Sequence, residues 1–261
     1  MKKSHLIITI LLFVLGVLCF VFFEALKTNL LDDTIQNAIP NRLLRGILSR
    51  AGFILLFGWL LYITGGRRLL IFNKQFFRML VWSLPCFMVA FINFPYSALA
   101  NGTASIDRYD LIWLYAIYAL FIALLEELIF RGILYMLAKD YLRNNRHAPL
   151  LVVVICATIF ALFHLTNLFS GSINVGYVLL QVLYTFLIGA MLTTTMLKLN
   201  NIWLCVLIHA IFNFGGQIIE NIGSGTPWDT VFWVLTISGG VLCAGHIIYS
   251  LIKLDKAYVS R

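Results

Sequence analysis

Eight stretches of this sequence are apolar for long enough to cross a bilayer as helices, and that pattern limits the fold more than any other feature. They run over approximately residues 5–26, 47–64, 76–100, 110–138, 149–169, 176–197, 202–220 and 230–252, each near or above the ~18–20 residues that span a hydrocarbon core. With 61% hydrophobic and 11% charged residues, the chain is no ordinary soluble domain, where about a quarter of residues are charged. Backbone groups in lipid must pair among themselves. The expected fold is therefore all-α: a polytopic membrane helical bundle of about eight transmembrane helices, the fourth long enough to tilt or project into the cytosol.

An even number of spans puts both termini on one side, and basic residues indicate which. With the N-terminus inside, the inner segments hold Lys2, Lys3, Arg67, Arg68, Lys74, Arg78, Lys139, Arg143, Arg146, Lys198, Lys253, Lys256 and Arg261. The outer segments hold Lys27, Arg42, Arg45, Arg50 and Arg108, with the acids Glu24, Asp32, Asp33, Asp107, Asp110, Glu220 and Asp229. The expectation is N- and C-termini in the cytosol. The stretch around Ile35–Leu44 reads as a short amphipathic helix on the membrane surface. A net charge of +8 then belongs to loops facing anionic lipid, and nucleic acid is not an expected partner.

Five cysteines fall singly inside apolar spans without CxxC spacing, so neither a disulfide framework nor a cysteine-rich metal site is indicated. The first span is too long for a signal peptide and lacks a small-x-small site near Glu24, so it reads as a retained anchor. Pro85 and Pro95 are expected to kink the third span. No internal repeat or long linker appears, and the chain reads as one membrane domain.

Polar side chains inside the later spans are few, and they recur at helical spacing. Glu126, Glu127 and Arg131 lie on span four, between LIWLYAIYALFIALL and GILYMLA; Phe160 and His164 lie on span five, and His209 and Asn213 on span seven. Each set contains an i,i+4 pair whose members share a helix face. Each charged group at a membrane midplane costs roughly 2.5–3.5 kcal/mol on insertion scales, which makes the run at 126–131 the default functional site. At 1.5 Å rise per residue from the cytosolic ends, Glu127 lies at ~16 Å, His164 at ~22 Å, His209 at ~11 Å and Asn213 at ~17 Å depth.

Carboxylate, imidazole and amide at comparable depth suit water activation. A carboxylate withdrawn from water is a stronger base than one in solution, and a histidine can hold the water or protonate a leaving amine. An Asn amide and a second histidine can donate to a developing oxyanion. Glu127 to Arg131 is the favourable order for an i,i+4 ion pair, while Glu126 faces about 100° away and stays free to act as base. The same residue types also permit metal binding: Glu126, His164 and His209 would be a zinc ligand set assembled from three helices, since no HExxH is present.

Glu-Glu-x-x-x-Arg, Phe-x-x-x-His and His-x-x-x-Asn, in that order on successive membrane helices, resemble the CPBP family, which comprises type II CAAX prenyl endopeptidases and bacteriocin-processing or bacteriocin-immunity proteins. The resemblance covers roughly residues 110–220, a catalytic helical core. Residues 1–109 are transmembrane helices without family signature, and 221–261 supply a last transmembrane helix and a short cytosolic tail. By this resemblance Glu126 is the water-activating glutamate and His164 the histidine assisting it, His209 and Asn213 the oxyanion-stabilising pair, and Glu127 and Arg131 supporting positions. It implies an intramembrane endopeptidase, often termed a metalloprotease, acting on a membrane-associated peptide or lipidated protein in a bacterial plasma membrane. A metal-free glutamate mechanism is the expectation. The alternative from the same family is a non-catalytic immunity or scaffold protein that binds a peptide or a partner.

Among the remaining polar positions, His5, His147 and His246 sit near span ends and carry no expected catalytic role. Asn167 reads as a helix-end amide beside the candidate site, and Gly240 and Ala244 as a helix-packing contact.

Overall fold

The computed structural model describes residues 3–30, 39–71, 76–170 and 175–259. It is a bundle of helices with eight segments long and apolar enough to span a membrane, and the chain is an integral multi-pass membrane protein. The spans are α1 (Lys3–Leu30), α2 (Ile39–Ile63), the pieces α3 (Phe76–Trp82), α4 (Leu84–Ile92) and α5 (Tyr96–Asn101), then α6 (Ile112–Glu127). A π-helical segment, Leu128–Leu134, joins α6 to α7 (Tyr135–Tyr141), followed by α8 (Ala148–Phe163), α9 (Val175–Leu199), α10 (Ile202–Ile222) and α11 (Thr230–Val259).

The side chains follow solvent logic inverted for lipid. Leu55, Trp113, Leu183 and Val241 point outward and are exposed, whereas Glu127, Arg131 and His209 are buried. That distribution is required where the surroundings are hydrocarbon and polar groups can be satisfied only inside the bundle. At the bundle centre α6 packs on α2 and α10, and α8 packs on α9.

Three local expectations need correction. The third span is not one kinked helix: Ser83 donates to the Met79 carbonyl at 2.6 Å where α3 ends, Pro85 occupies the first turn of α4, and Pro95 precedes α5. A proline lacks the amide that would continue the preceding helix, so each one starts a new piece. The segment read as a surface helix lies partly outside the described residues; its residues 39–44 open α2, which continues unbroken to Ile63. Arg45, read as a loop residue, therefore stands on a spanning helix with Arg50. Two short antiparallel strands, β1 (Ala104–Ile106) and β2 (Gly223–Gly225), also pair Ala104 with Gly225 and Ile106 with Gly223. They clamp the start of α6 to the end of α10.

One glycine decides how close the core helices come. A Cβ at Gly189 on α9 would lie 2.9 Å from Phe160 Cδ1, 3.3 Å from Ala157 Cα and 3.4 Å from an Arg131 nitrogen. Only hydrogen there lets α9 seat against α8 and present its carbonyl to Arg131.

Candidate active site

The π-helical segment begins directly after Glu127 and contains Arg131. A π turn inserts an extra residue into the helical ladder and is frequent at functional sites. Here it accompanies a fully buried ion pair: Arg131 Nη1 donates to Glu127 Oε1 at 2.9 Å, with both side chains at 0% exposure. Arg131 Nη2 also donates to the Gly189 carbonyl at 3.2 Å, and its guanidinium lies 4.3 Å over the Phe160 ring. A buried pair needs such additional partners, because attraction between the two charges alone barely offsets their desolvation.

Phe160 is the hub of the arrangement. Its ring meets His164 edge-on at 5.0 Å and 86°, and His209 at 5.8 Å and 90°. The motif phenylalanine thus supports the arginine on its face and orients both imidazoles.

Each histidine has one nitrogen assigned by its partner. His164 Nδ1 is 2.9 Å from the Phe160 carbonyl, which only accepts, so Nδ1 carries the hydrogen and Nε2 of the neutral ring is an acceptor. His209 Nδ1 is 2.8 Å from Glu127 Oε1; as a carboxylate Glu127 only accepts, so this nitrogen too is the donor. On the other side of the ring, His209 Nε2 lies 3.6 Å from Glu126 Oε2. Glu126 Oε2 is buried and accepts no hydrogen bond from the described residues, while the side chain as a whole is 18% exposed. A buried carboxylate oxygen without a donor is costly unless a ligand or water supplies one.

Glu126, His164, His209 and Asn213 all line one cavity of about 400 Å³. Glu127 and Arg131 lie behind its wall. Asn213 stands on a stretch of α10 whose backbone is tied down: Tyr115 donates to the carbonyls of Asn213 at 3.1 Å and Phe214 at 3.0 Å, and Asn93 donates to that of Phe212 at 2.9 Å.

The same cavity is lined by residues that no motif marked: Glu24, Arg50 and Tyr118 on one side, Gln181 and Tyr184 on another. Asn167, read as a helix-end amide, also lines it and donates to Gln181 at 2.8 Å. Polarity in an apolar span was the available signal for Gln181. For Arg50 there was none, since a charge at the outer end of the second span reads as facing the membrane surface.

Zinc does not fit this arrangement. Among the described residues no three or more His, Cys, Asp or Glu side chains are grouped to hold a metal ion. His164 and His209 each donate Nδ1 to a protein acceptor and keep Nε2 available, as metal-ligating histidines also do, so the misfit lies in the spacing of Glu126, His164 and His209 and not in their hydrogen bonds.

Comparison with known proteins bears on the segment that builds this site. Residues 108–215 match the family model described as type II CAAX prenyl endopeptidase Rce1-like. The segment that builds the site is similar to this family. The match contains Glu126, Glu127, Arg131, Phe160, His164, His209 and Asn213, and leaves α1 to α5 and α11 outside it. No curated protein matches the chain, and neither does any solved structure.

Proposed function

We propose that this protein is an intramembrane endopeptidase that hydrolyses a peptide bond in a membrane-associated, lipidated peptide, a prenylated CAAX chain being the class the family implies. The observation that carries the reading is the convergence of Glu126, His164, His209 and Asn213 on one cavity, with a buried Glu126 oxygen that accepts no hydrogen bond from the described residues.

In this mechanism Glu126 accepts a proton from a water whose oxygen attacks the scissile carbonyl carbon, and the acceptor nitrogen of His164 helps hold that water. The carbonyl π pair moves onto oxygen, and the oxyanion is met by the Asn213 amide and by His209 when its Nε2 carries a hydrogen. Collapse re-forms the carbonyl and breaks the C–N bond, and the proton taken by Glu126 passes to the leaving amine nitrogen. Glu127 and Arg131 act on the reaction through His209: Glu127 fixes the ring by its Nδ1 hydrogen, and Arg131 neutralises Glu127. No step uses a metal. The basic residues of the loops support cytosolic termini in a bacterial plasma membrane. Nothing observed favours the non-catalytic immunity or scaffold reading over hydrolysis.

The test is cleavage of a farnesylated CAAX peptide by the purified protein in ¹⁸O-water. The expected product is the farnesyl-cysteine fragment with one ¹⁸O in its new carboxylate; an intact peptide after prolonged incubation contradicts the proposal.

A further inference from the structure

The cavity has a wall outside the matched segment, and that wall carries a cation. Arg50, on α2, and Glu24, on α1, both line the cavity, and neither lies within residues 108–215. Among the described residues lining the cavity, Arg50 alone is a lysine or arginine. Its side chain is only 14% exposed. Nη1 donates to the Gly46 carbonyl at 3.1 Å, and the guanidinium lies 5.3 Å over the Tyr118 ring. The nearby carboxylate does not close on it: Arg50 Nη2 and Glu24 Oε2 are 3.9 Å apart, beyond hydrogen-bond range. A guanidinium has five donors in a planar fork suited to a carboxylate, and this one is withdrawn from solvent without a bidentate partner.

Its distance from the catalytic glutamate is informative. Tyr118, beneath the guanidinium, stands eight residues before Glu126 on the same helix, α6, a rise of about 12 Å at 1.5 Å per residue. A CAAX chain ends three residues after its prenylated cysteine. Three extended residues cover roughly 10–11 Å, so the length from the scissile bond after cysteine to the free C-terminal carboxylate is close to the rise along α6 from Glu126 to Tyr118, over which the Arg50 guanidinium lies.

Resting on the proposed hydrolysis, we infer that Arg50 is the specificity-determining residue that binds the substrate's free C-terminal carboxylate, in place of its 3.9 Å contact with Glu24. The carboxylate takes the guanidinium fork, Tyr118 keeps the guanidinium in plane, and the peptide is registered so that the bond three residues upstream meets Glu126. The occupant is a peptide carboxylate rather than a lipid phosphate because the cation shares one cavity with the reacting groups and stands over Tyr118, about a tripeptide's length along α6 from Glu126.

The experiment compares a farnesylated CAAX peptide bearing a free C-terminal carboxylate with its C-terminal amide. Wild-type protein is expected to prefer the acid by roughly 10–100-fold in kcat/KM, the loss on the amide appearing in KM, as for one charge-assisted hydrogen-bonded contact. Arg50→Gln brings the ratio close to one, Arg50→Lys restores part of it, and Glu24→Gln raises it by removing the competing carboxylate. The Glu24→Gln arm reads the site without depending on how well an Arg50 variant folds. Equal cleavage of both peptides by wild type, or an acid preference that survives in Arg50→Gln, overturns the subsite while leaving the hydrolytic reading standing. Cleavage of neither peptide by wild type overturns the hydrolytic reading and this inference with it. Loss of acid preference on adding anionic phospholipid to wild type, but not to Arg50→Gln, assigns the cation to a lipid phosphate and overturns the carboxylate.

Discussion

His209 directs Nδ1 at Glu127 Oε1, 2.8 Å away, across 82 residues of sequence. The same oxygen accepts from Arg131 at 2.9 Å, so one carboxylate oxygen links α10 to the π-helical segment after α6. The histidine is thereby held with its second nitrogen toward Glu126, and the two adjacent glutamates take opposite sides of one ring.

Removing Glu127 strands a buried guanidinium. Glu127→Ala is expected to destabilise the protein by about 3–5 kcal/mol, the range for breaking a buried pair. Glu127→Gln keeps an acceptor for His209 and Arg131 and is expected to cost less. Thermal unfolding in detergent compares the two; equal Tm values for Glu127→Ala and wild type would contradict the pair's structural role.

Gly189→Ala tests the close approach of α8 and α9. The new methyl would meet Phe160 Cδ1 at 2.9 Å and the Ala157 backbone at 3.3 Å, and overpacking of this kind costs about 1–3 kcal/mol. Because Phe160 also orients His164 and His209, catalytic rate is expected to fall at temperatures where the variant remains folded. Activity assays paired with an unfolding curve separate the two effects.

How much of this was legible from the residues depends on the range of the interaction. Pairs at i,i+4 on one helix, such as Glu127 with Arg131, follow from helical geometry, and the eight spans follow from hydrocarbon thickness. The contact between His209 and Glu127 does not, because it joins helices whose rotation about their axes is set by packing; the residues alone paired His209 with Asn213. The wall formed by Glu24 and Arg50 was obscured for another reason. Charged residues near the outer end of a span read as facing the membrane surface, and only the bundle reveals that α2 begins at Ile39 and that Glu24 and Arg50 line the cavity. Pro85 and Pro95 marked a disturbance, but whether it kinks one helix or starts new ones depends on neighbours such as α10 and α11, which pack on α4.

A pH effect is expected outside the membrane, at the start of α11. The Phe232 amide donates to Asp229 Oδ1 at 2.8 Å, and this bond, followed by that from Ser97, holds the Asp229 carboxyl below its ordinary range. A carboxyl depressed in the folded state stabilises it above the ordinary carboxylate value, about 3.9, and the contribution is lost as pH falls through the lower native value. The Tm difference between wild type and Asp229→Ala is therefore expected to be full near neutral pH and to vanish in acid. A difference that grows on acidification would contradict the capping role.

Chelation addresses the misfit between zinc and the grouping of Glu126, His164 and His209. Because these side chains are not grouped to hold a metal ion, cleavage of a farnesylated peptide is expected to persist after exhaustive treatment with a strong chelator. Loss of activity that zinc alone restores would show that the site rearranges to bind metal.

The central claim is that Glu126 removes a proton from the attacking water. Its most direct test is the rate of farnesylated CAAX peptide hydrolysis by Glu126→Gln, a variant of nearly the same shape that cannot take up the proton. The expected result is a fall in kcat of roughly 10²–10⁴-fold with the protein still folded and still binding the peptide. Hydrolysis at the wild-type rate would contradict the account.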